Sequence, residues 1–263
     1  ASVSDGSISG PEFVSGVLKG DSGANQLRRI CEHIKEAGGT VNKTCGIHVH
    51  IGGAIFNRRF QLLSIMLGLQ LQEELFAMQP TSRRSNSYCR LIPDKYYSLH
   101  NLFTEGKTLK RGSNSTNYYA ALKLLRQYVT GDETNGFTKE VNKKHYHPNG
   151  HYCSSRYKWL NLNNCSFRNG PETIEFRQHS GTIEYNKIIL WTKLCMAIVN
   201  FVENKGRRIT IGFKHAYNYA KRNDMVLGNA VSIREIIEYS FSGDNANEII
   251  EYVKARTEKF GML

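Results

Sequence analysis

The amino-acid sequence predicts an α+β fold, and three observations carry that prediction. Residues 173–183 read T-I-E-F-R-Q-H-S-G-T-I and residues 44–53 read T-C-G-I-H-V-H-I-G-G. Both alternate with the two-residue period of a strand. Residues 58–79 and 186–204 instead carry apolar side chains at helical spacing over several turns. The strand at 173–183 organises the rest. Alternation puts Glu175, Arg177 and His179 on one face while Ile174 and Phe176 press into the core. A carboxylate and a guanidinium two residues apart on a rigid element hold a cation and an anionic oxygen side by side, which suits phosphoryl or acyl-phosphate chemistry. The same pair also reads as an ordinary ion pair on a solvated sheet.

The chain has 263 residues, enough to bury a substantial core, and neither a repeat nor a linker divides it, so a single domain over 1–263 is expected. Lys and Arg total 35 against 23 Asp and Glu, a formal charge of +12. Such a balance favours anionic partners: nucleotide, acidic peptide or nucleic acid. No apolar run is long enough to span a membrane. The six cysteines form no C-x-x-C pair and read as reduced thiols, which implies the cytoplasm. In that compartment the N-x-S/T triplets at Asn42, Asn114 and Asn164 carry no weight. The chain opens on Ala1 rather than Met, and its first residues do not read as a secretory signal.

In order along the chain, Phe13, Val14, Val17 and Leu18 predict a short strand with Glu12 near its start. Leu27, Ile30, Cys31 and Ile34 predict an amphipathic helix closed by Gly38 and Gly39. In the strand at 44–53, His48 and His50 fall on one side, a candidate metal or phosphate site flanked by glycines. The helix at 58–79 has a wide apolar face and stops before Pro80. Residues 81–116 are polar, basic and rich in Tyr, and read as loop. A short helix follows at 118–129, then a long irregular stretch at 131–153 in which His145, His147, His151 and Cys153 match no standard zinc spacing. Residues 155–164 predict a strand with Arg156 at its entrance and Asn161 and Asn163 on one face. The region 204–263 reads as a helical extension, with Ser232–Glu235 and Asn245–Glu248 as two capping boxes.

Four pieces line up: D-G-S…P-E-F-V-S from Asp5, C-G-I-H-V-H at 45–50, S-R-Y at 155–157 and T-I-E-F-R-Q-H-S-G-T at 173–182. In this order and spacing the chain resembles the amidoligase family, related to glutamine synthetase and the glutamate–cysteine ligases, over about 5–203. The resemblance implies a glutamine synthetase-like antiparallel sheet flanked by helices that cradles Mg²⁺ ions and the phosphates of ATP. It implies an ATP- and Mg²⁺-dependent ligase that joins a carboxylate to an amine through an acyl phosphate, on an amino acid, peptide or peptidoglycan-like substrate. Phosphoryl transfer needs metals and cations at the phosphate oxygens, and these residue types agree with that need. Carried over, Glu175 is a metal ligand, and Arg177 holds the substrate carboxylate or the phosphoryl group. His48 meets a metal and the ATP phosphates, His50 lies beside the nucleotide, and Arg156 steadies transition-state charge. Glu12 is the metal carboxylate of the early strand, with Asp5 as a weaker candidate. Glu175→Ala is then expected to abolish amide formation and leave folding intact.

The family also carries an early strand with a G-x-E-x-E pair, and none precedes Asp5 here. The expectation is that this strand lies upstream, is supplied by an assembly partner, or has been lost. In the last case the chain is a non-catalytic structural or binding protein that keeps the fold. Nucleic-acid binding and a metallohydrolase built on His48 and His50 are weaker rivals, the latter because the sequence shows no third ligand nearby.

Overall fold

A computed structural model describes residues 2–4, 11–101, 116–130, 154–165, 172–223 and 230–261, and at its centre lies a helix with no solvated side. This is α2, Arg58–Ala77, whose residues 60–72 are all buried. A helix that is apolar nearly all round has to be enclosed rather than laid on a surface. Asn57 caps it by accepting a hydrogen bond from the Phe60 N–H at 2.9 Å. The polar side chains Ser64 and Gln72 are satisfied inside: Ser64 donates to the Phe60 carbonyl at 2.9 Å, and Gln72 Oε1 accepts from the Ile92 N–H at 2.9 Å.

Helices enclose α2. They are α4 (Thr116–Thr130), α5 (Tyr185–Asn204), α6 (Gly206–Asn223) and α8 (Gly243–Phe260), with α7 (Ile233–Ser240) packed on α5 and α8. Helix α1 (Gly20–Glu36) is amphipathic as expected and leans on α5. Ser232 caps α7 through the Glu235 N–H at 3.1 Å, but the Glu235 carboxylate turns to Arg208 instead of closing a box. Asn245 does not cap at all: α8 starts before it, and its side chain accepts from Lys193 at 2.8 Å.

The remaining layer is a three-stranded antiparallel sheet in the order β3 (Gly46–Ile51), β5 (Ile174–Ser180), β4 (Leu160–Asn161). The fold is therefore α+β, as the patterns predict. The strand expected over 155–164 shrinks to two residues between short 3-10 turns at Ser154–Tyr157 and Asn163–Cys165. Asn161 is the reason: its side-chain oxygen accepts from the Asn163 N–H at 3.0 Å and bends the chain out of the ladder. The early strand is also displaced. β2 is Pro11–Phe13, paired with β1 (Ser2–Ser4) in a separate two-stranded sheet, while Val14 and Val17 lie exposed beyond it. The loop expected from residue 81 is folded as far as it is described. It holds α3 (Thr81–Arg84) and a 3-10 helix (Asp94–Asn101), whose Tyr96 is buried edge-on against Tyr128. Asp5, Lys107, Lys110, Arg111, the stretch 131–153 with its zinc candidates and the turn at 169–171 lie outside the described residues.

Candidate active site

Strand β5 is the middle strand, so each of its residues has a neighbour on both sides. Glu175 pairs with His50 on β3 and with Asn161 on β4. Paired residues in an antiparallel sheet point to the same face, which gathers His50, Glu175 and Asn161, and with them His48, two residues from His50. The contacts follow. Asn161 Nδ2 donates to Glu175 Oε2 at 2.6 Å, and Arg177 Nη1 donates to Oε1. His48 Nδ1 and His50 Nε2 stand 3.5 and 3.6 Å from the same Oε1. His50 Nδ1 meets Thr173 Oγ1 at 3.2 Å. The Glu175 and Arg177 side chains are 5% and 7% exposed, against 21% for His48 and 44% for His50, so a ligand meets the imidazoles first.

His179 does not join this face. The register runs Ile47↔His179 but Val49↔Phe176, so two residues of β5, Arg177 and Gln178, oppose His48 alone. This β-bulge reverses the alternation. His179 thereby shares the face of Phe176 and packs on Trp191, its ring centroid 5.1 Å away. Arg83 holds the bulge, with Nε donating to the Gln178 carbonyl at 3.3 Å and Nη2 to that of Arg177. Gly46 makes the room, since a Cβ there would stand 2.8 Å from Arg83 Nη2. Arg177 is further pinned by its own N–H to the Trp159 carbonyl and by Nε to the Tyr88 carbonyl, at 2.8 and 3.1 Å. The guanidiniums of Arg156 and Arg177 lie 5.0 and 5.8 Å from the ring of Tyr157, which brings Arg156 to the edge of the cluster.

Burial alone would raise the Glu175 carboxyl, but Arg177, His50, His48 and the Asn161 hydrogen bond reverse that and hold it below its ordinary value. His48 is pushed down to about 4, first by burial and then by Arg177, against the pull of Glu175. The site at neutral pH is thus an ionised carboxylate, a guanidinium and a neutral imidazole.

Of the predicted site residues, the structure brings together His48, His50, Glu175 and Arg177, with Arg156 alongside. Glu12 lies on the separate two-stranded sheet, opposite Val3. Among the described residues no group of three or more His, Cys, Asp or Glu is arranged to hold a metal ion. Mg²⁺ takes hard oxygen ligands, and the cluster has one carboxylate, whose two oxygens are already engaged by Asn161 and Arg177. These residues do not by themselves fit a resident Mg²⁺ ion. Arg83, Tyr88 and Tyr157 are further neighbours of the cluster; the sequence marked Arg83 only as part of a basic, Tyr-rich loop and Tyr157 only through S-R-Y at 155–157, and it gave no signal for Tyr88.

A family model described as putative amidoligase enzyme matches residues 3–199. The chain belongs to the amidoligase family. No curated protein and no solved structure matches it. The matched span contains all five residues of the cluster and ends inside α5, before α6, α7 and α8.

Proposed function

We propose that this amidoligase is an ATP- and Mg²⁺-dependent ligase that joins a carboxylate to an amine through an acyl phosphate, on a glutamine synthetase-like fold. One observation carries the reading: His48 and His50 of β3 meet Glu175 and Arg177 of β5, more than a hundred residues on in sequence, on one face of the sheet inside a chain of this family. ATP supplies the phosphoryl group that makes the carboxylate a substrate for amine attack. The guanidinium of Arg177, oriented by Glu175, binds an anionic oxygen of the phosphate or the substrate carboxylate. Arg156 adds positive charge at the rim, and His48 and His50 line the entrance. Mg²⁺ would offset charge on the phosphate oxygens of the nucleotide, and its ligands would be groups other than the described cluster. Amino acids, peptides and peptidoglycan-like stems are the substrate classes, and the cytoplasm is the compartment. The described cysteines are free, and no described helix is long and apolar enough to cross a membrane.

A second reading has its own observation. Glu175 is bonded to Asn161 and Arg177 and flanked by two histidines, which is also how a purely structural hub looks in a non-catalytic binding protein. Calorimetric titration of ATP, with and without Mg²⁺, separates the two, followed by phosphate release across a panel of carboxylates and amines. Mg²⁺-dependent binding that Glu175→Gln weakens, with phosphate release only when both substrates are present, supports the ligase. Absence of ATP binding in the intact gene product selects the binding protein.

A further inference from the structure

Helix α8 lies wholly beyond the family match, yet its side chains reach the strand that carries the site. One contact, at His179, is on the rear face of β5, opposite Glu175 and Arg177, and the other is at Ser180, the last residue of the strand. His179 Nδ1 stands 2.7 Å from the Ser180 carbonyl, which can only accept, so Nδ1 carries the proton and Nε2 accepts from the Tyr252 hydroxyl at 2.8 Å. Arg256 donates through Nε to the Met78 carbonyl at 3.0 Å, and through Nη2 to Gln79 Oε1 at 3.0 Å and Ser180 Oγ at 3.4 Å. Gln79 Oε1 in turn accepts from the Ser180 N–H at 3.2 Å. The end of α8 is tied in as well, because Arg84 donates to the Phe260 carbonyl and to the carbonyls of Ala77 and Gln79.

These bonds fall where the ladder is weakest. The bulge breaks regular pairing at Arg177 and Gln178, so the end of β5 depends on side chains for its placement. Arg83 takes the two bulge carbonyls, and α8 takes the next two residues, His179 and Ser180. Burial keeps His179 neutral and Tyr252 protonated, so the hydroxyl remains a donor.

We propose that Tyr252 and Arg256 are positioning residues: by holding His179 on the rear face and Ser180 at the end of β5 they fix the bulge, and so the angle at which Glu175 and Arg177 are presented in front. Its catalytic meaning rests on the ligase reading, but its test does not.

The test compares Tyr252→Phe and Arg256→Lys with Ile249→Val, a packing change in the same helix that touches none of these bonds. Tyr252→Phe keeps the ring and removes only the hydroxyl, leaving His179 Nε2 without its donor. Amide hydrogen exchange at 177–180 is expected to speed about tenfold in Tyr252→Phe and Arg256→Lys, and to stay at the wild-type rate in Ile249→Val. With substrates present, kcat falls about tenfold in the first two while KM for ATP stays within about twofold, since the front face keeps its groups but loses their alignment. Equal exchange at 177–180 in all three variants overturns the clamp. Should the wild type show no turnover with any substrate pair, the ligase reading fails on its own and the exchange comparison still decides the clamp.

Discussion

Glu175 is 4% exposed and sits between Arg177 and Asn161, which changes what its substitution means. From sequence, Glu175→Ala reads as a clean loss of activity with folding intact. In the structure it strands the buried Arg177 guanidinium without its counter-charge, a situation that costs on the order of 3–5 kcal/mol. Glu175→Ala is therefore expected to lower the urea midpoint markedly, and Glu175→Gln, which keeps an acceptor oxygen, by less than half as much. Equal losses would show that Arg177 does not depend on the carboxylate charge. His179 gives a second residue-scale prediction. Burial, with Arg256 adding to it, lowers its folded pKa to about 3, while the unfolded side chain titrates near 6.5. Between those values the unfolded state binds a proton that the folded state refuses, so stability falls as pH drops through that window. One proton corresponds to about 1.4 kcal/mol per pH unit at full difference. His48, pushed down to about 4, adds a slope of the same sign above that value. Urea midpoints measured from pH 7 down to 4 should decline, and His179→Gln should remove roughly half of the slope. An unchanged slope would place the lost protons elsewhere.

At the scale of elements, α2 meets the sheet edge through Gly68. A Cβ there would stand 2.7 Å from Ile92 Cδ1, 3.1 Å from Leu160 Cδ2 and 3.3 Å from Trp159 Cζ2. Gly68→Ala gains helix propensity, about 1 kcal/mol, but overpacks a core whose neighbours are all buried, at about 1–3 kcal/mol. Net destabilisation is expected, with the thermal midpoint falling by several degrees; a rise would mean that Ile92 moves aside freely. The strong periodic elements were legible in the sequence because burial writes its period directly: α1, α2, α4 and α5 all form near their predicted bounds. β3 and β5 were legible for the same reason, and they put His48, His50, Glu175 and Arg177 together. The bulge was not, because one unpaired residue leaves the sequence alternation intact while reversing the face of everything beyond it, and so His179 was misplaced. The strand at 155–164 was lost to a single Asx turn at Asn161, a contact that propensity does not encode.

For the whole molecule, the sequence predicts one domain over 1–263 while the family match ends at 199, and α8 decides which boundary matters physically. Ile249, Ile250 and Tyr252 are buried in α8 against the rest of the protein, each worth about 1.5–3 kcal/mol of apolar burial. Their sum is comparable with the ~5–15 kcal/mol net stability of a domain. Removing α8 also takes the donor from buried His179 Nε2, at about 1–3 kcal/mol for a group left unsatisfied, and one partner among several from Gln79 and Arg84. The arginine contacts of Arg83, Arg84 and Arg256 were invisible in sequence because each reaches a backbone carbonyl distant along the chain. A chain ending at residue 242 is accordingly expected to lose its cooperative thermal transition, and the full chain to unfold in one step with equal calorimetric and van't Hoff enthalpies. A sharp transition retained by the shortened chain would mean that the family-matched region folds alone, and that α8 is an addition rather than part of the core that holds the site strand in place.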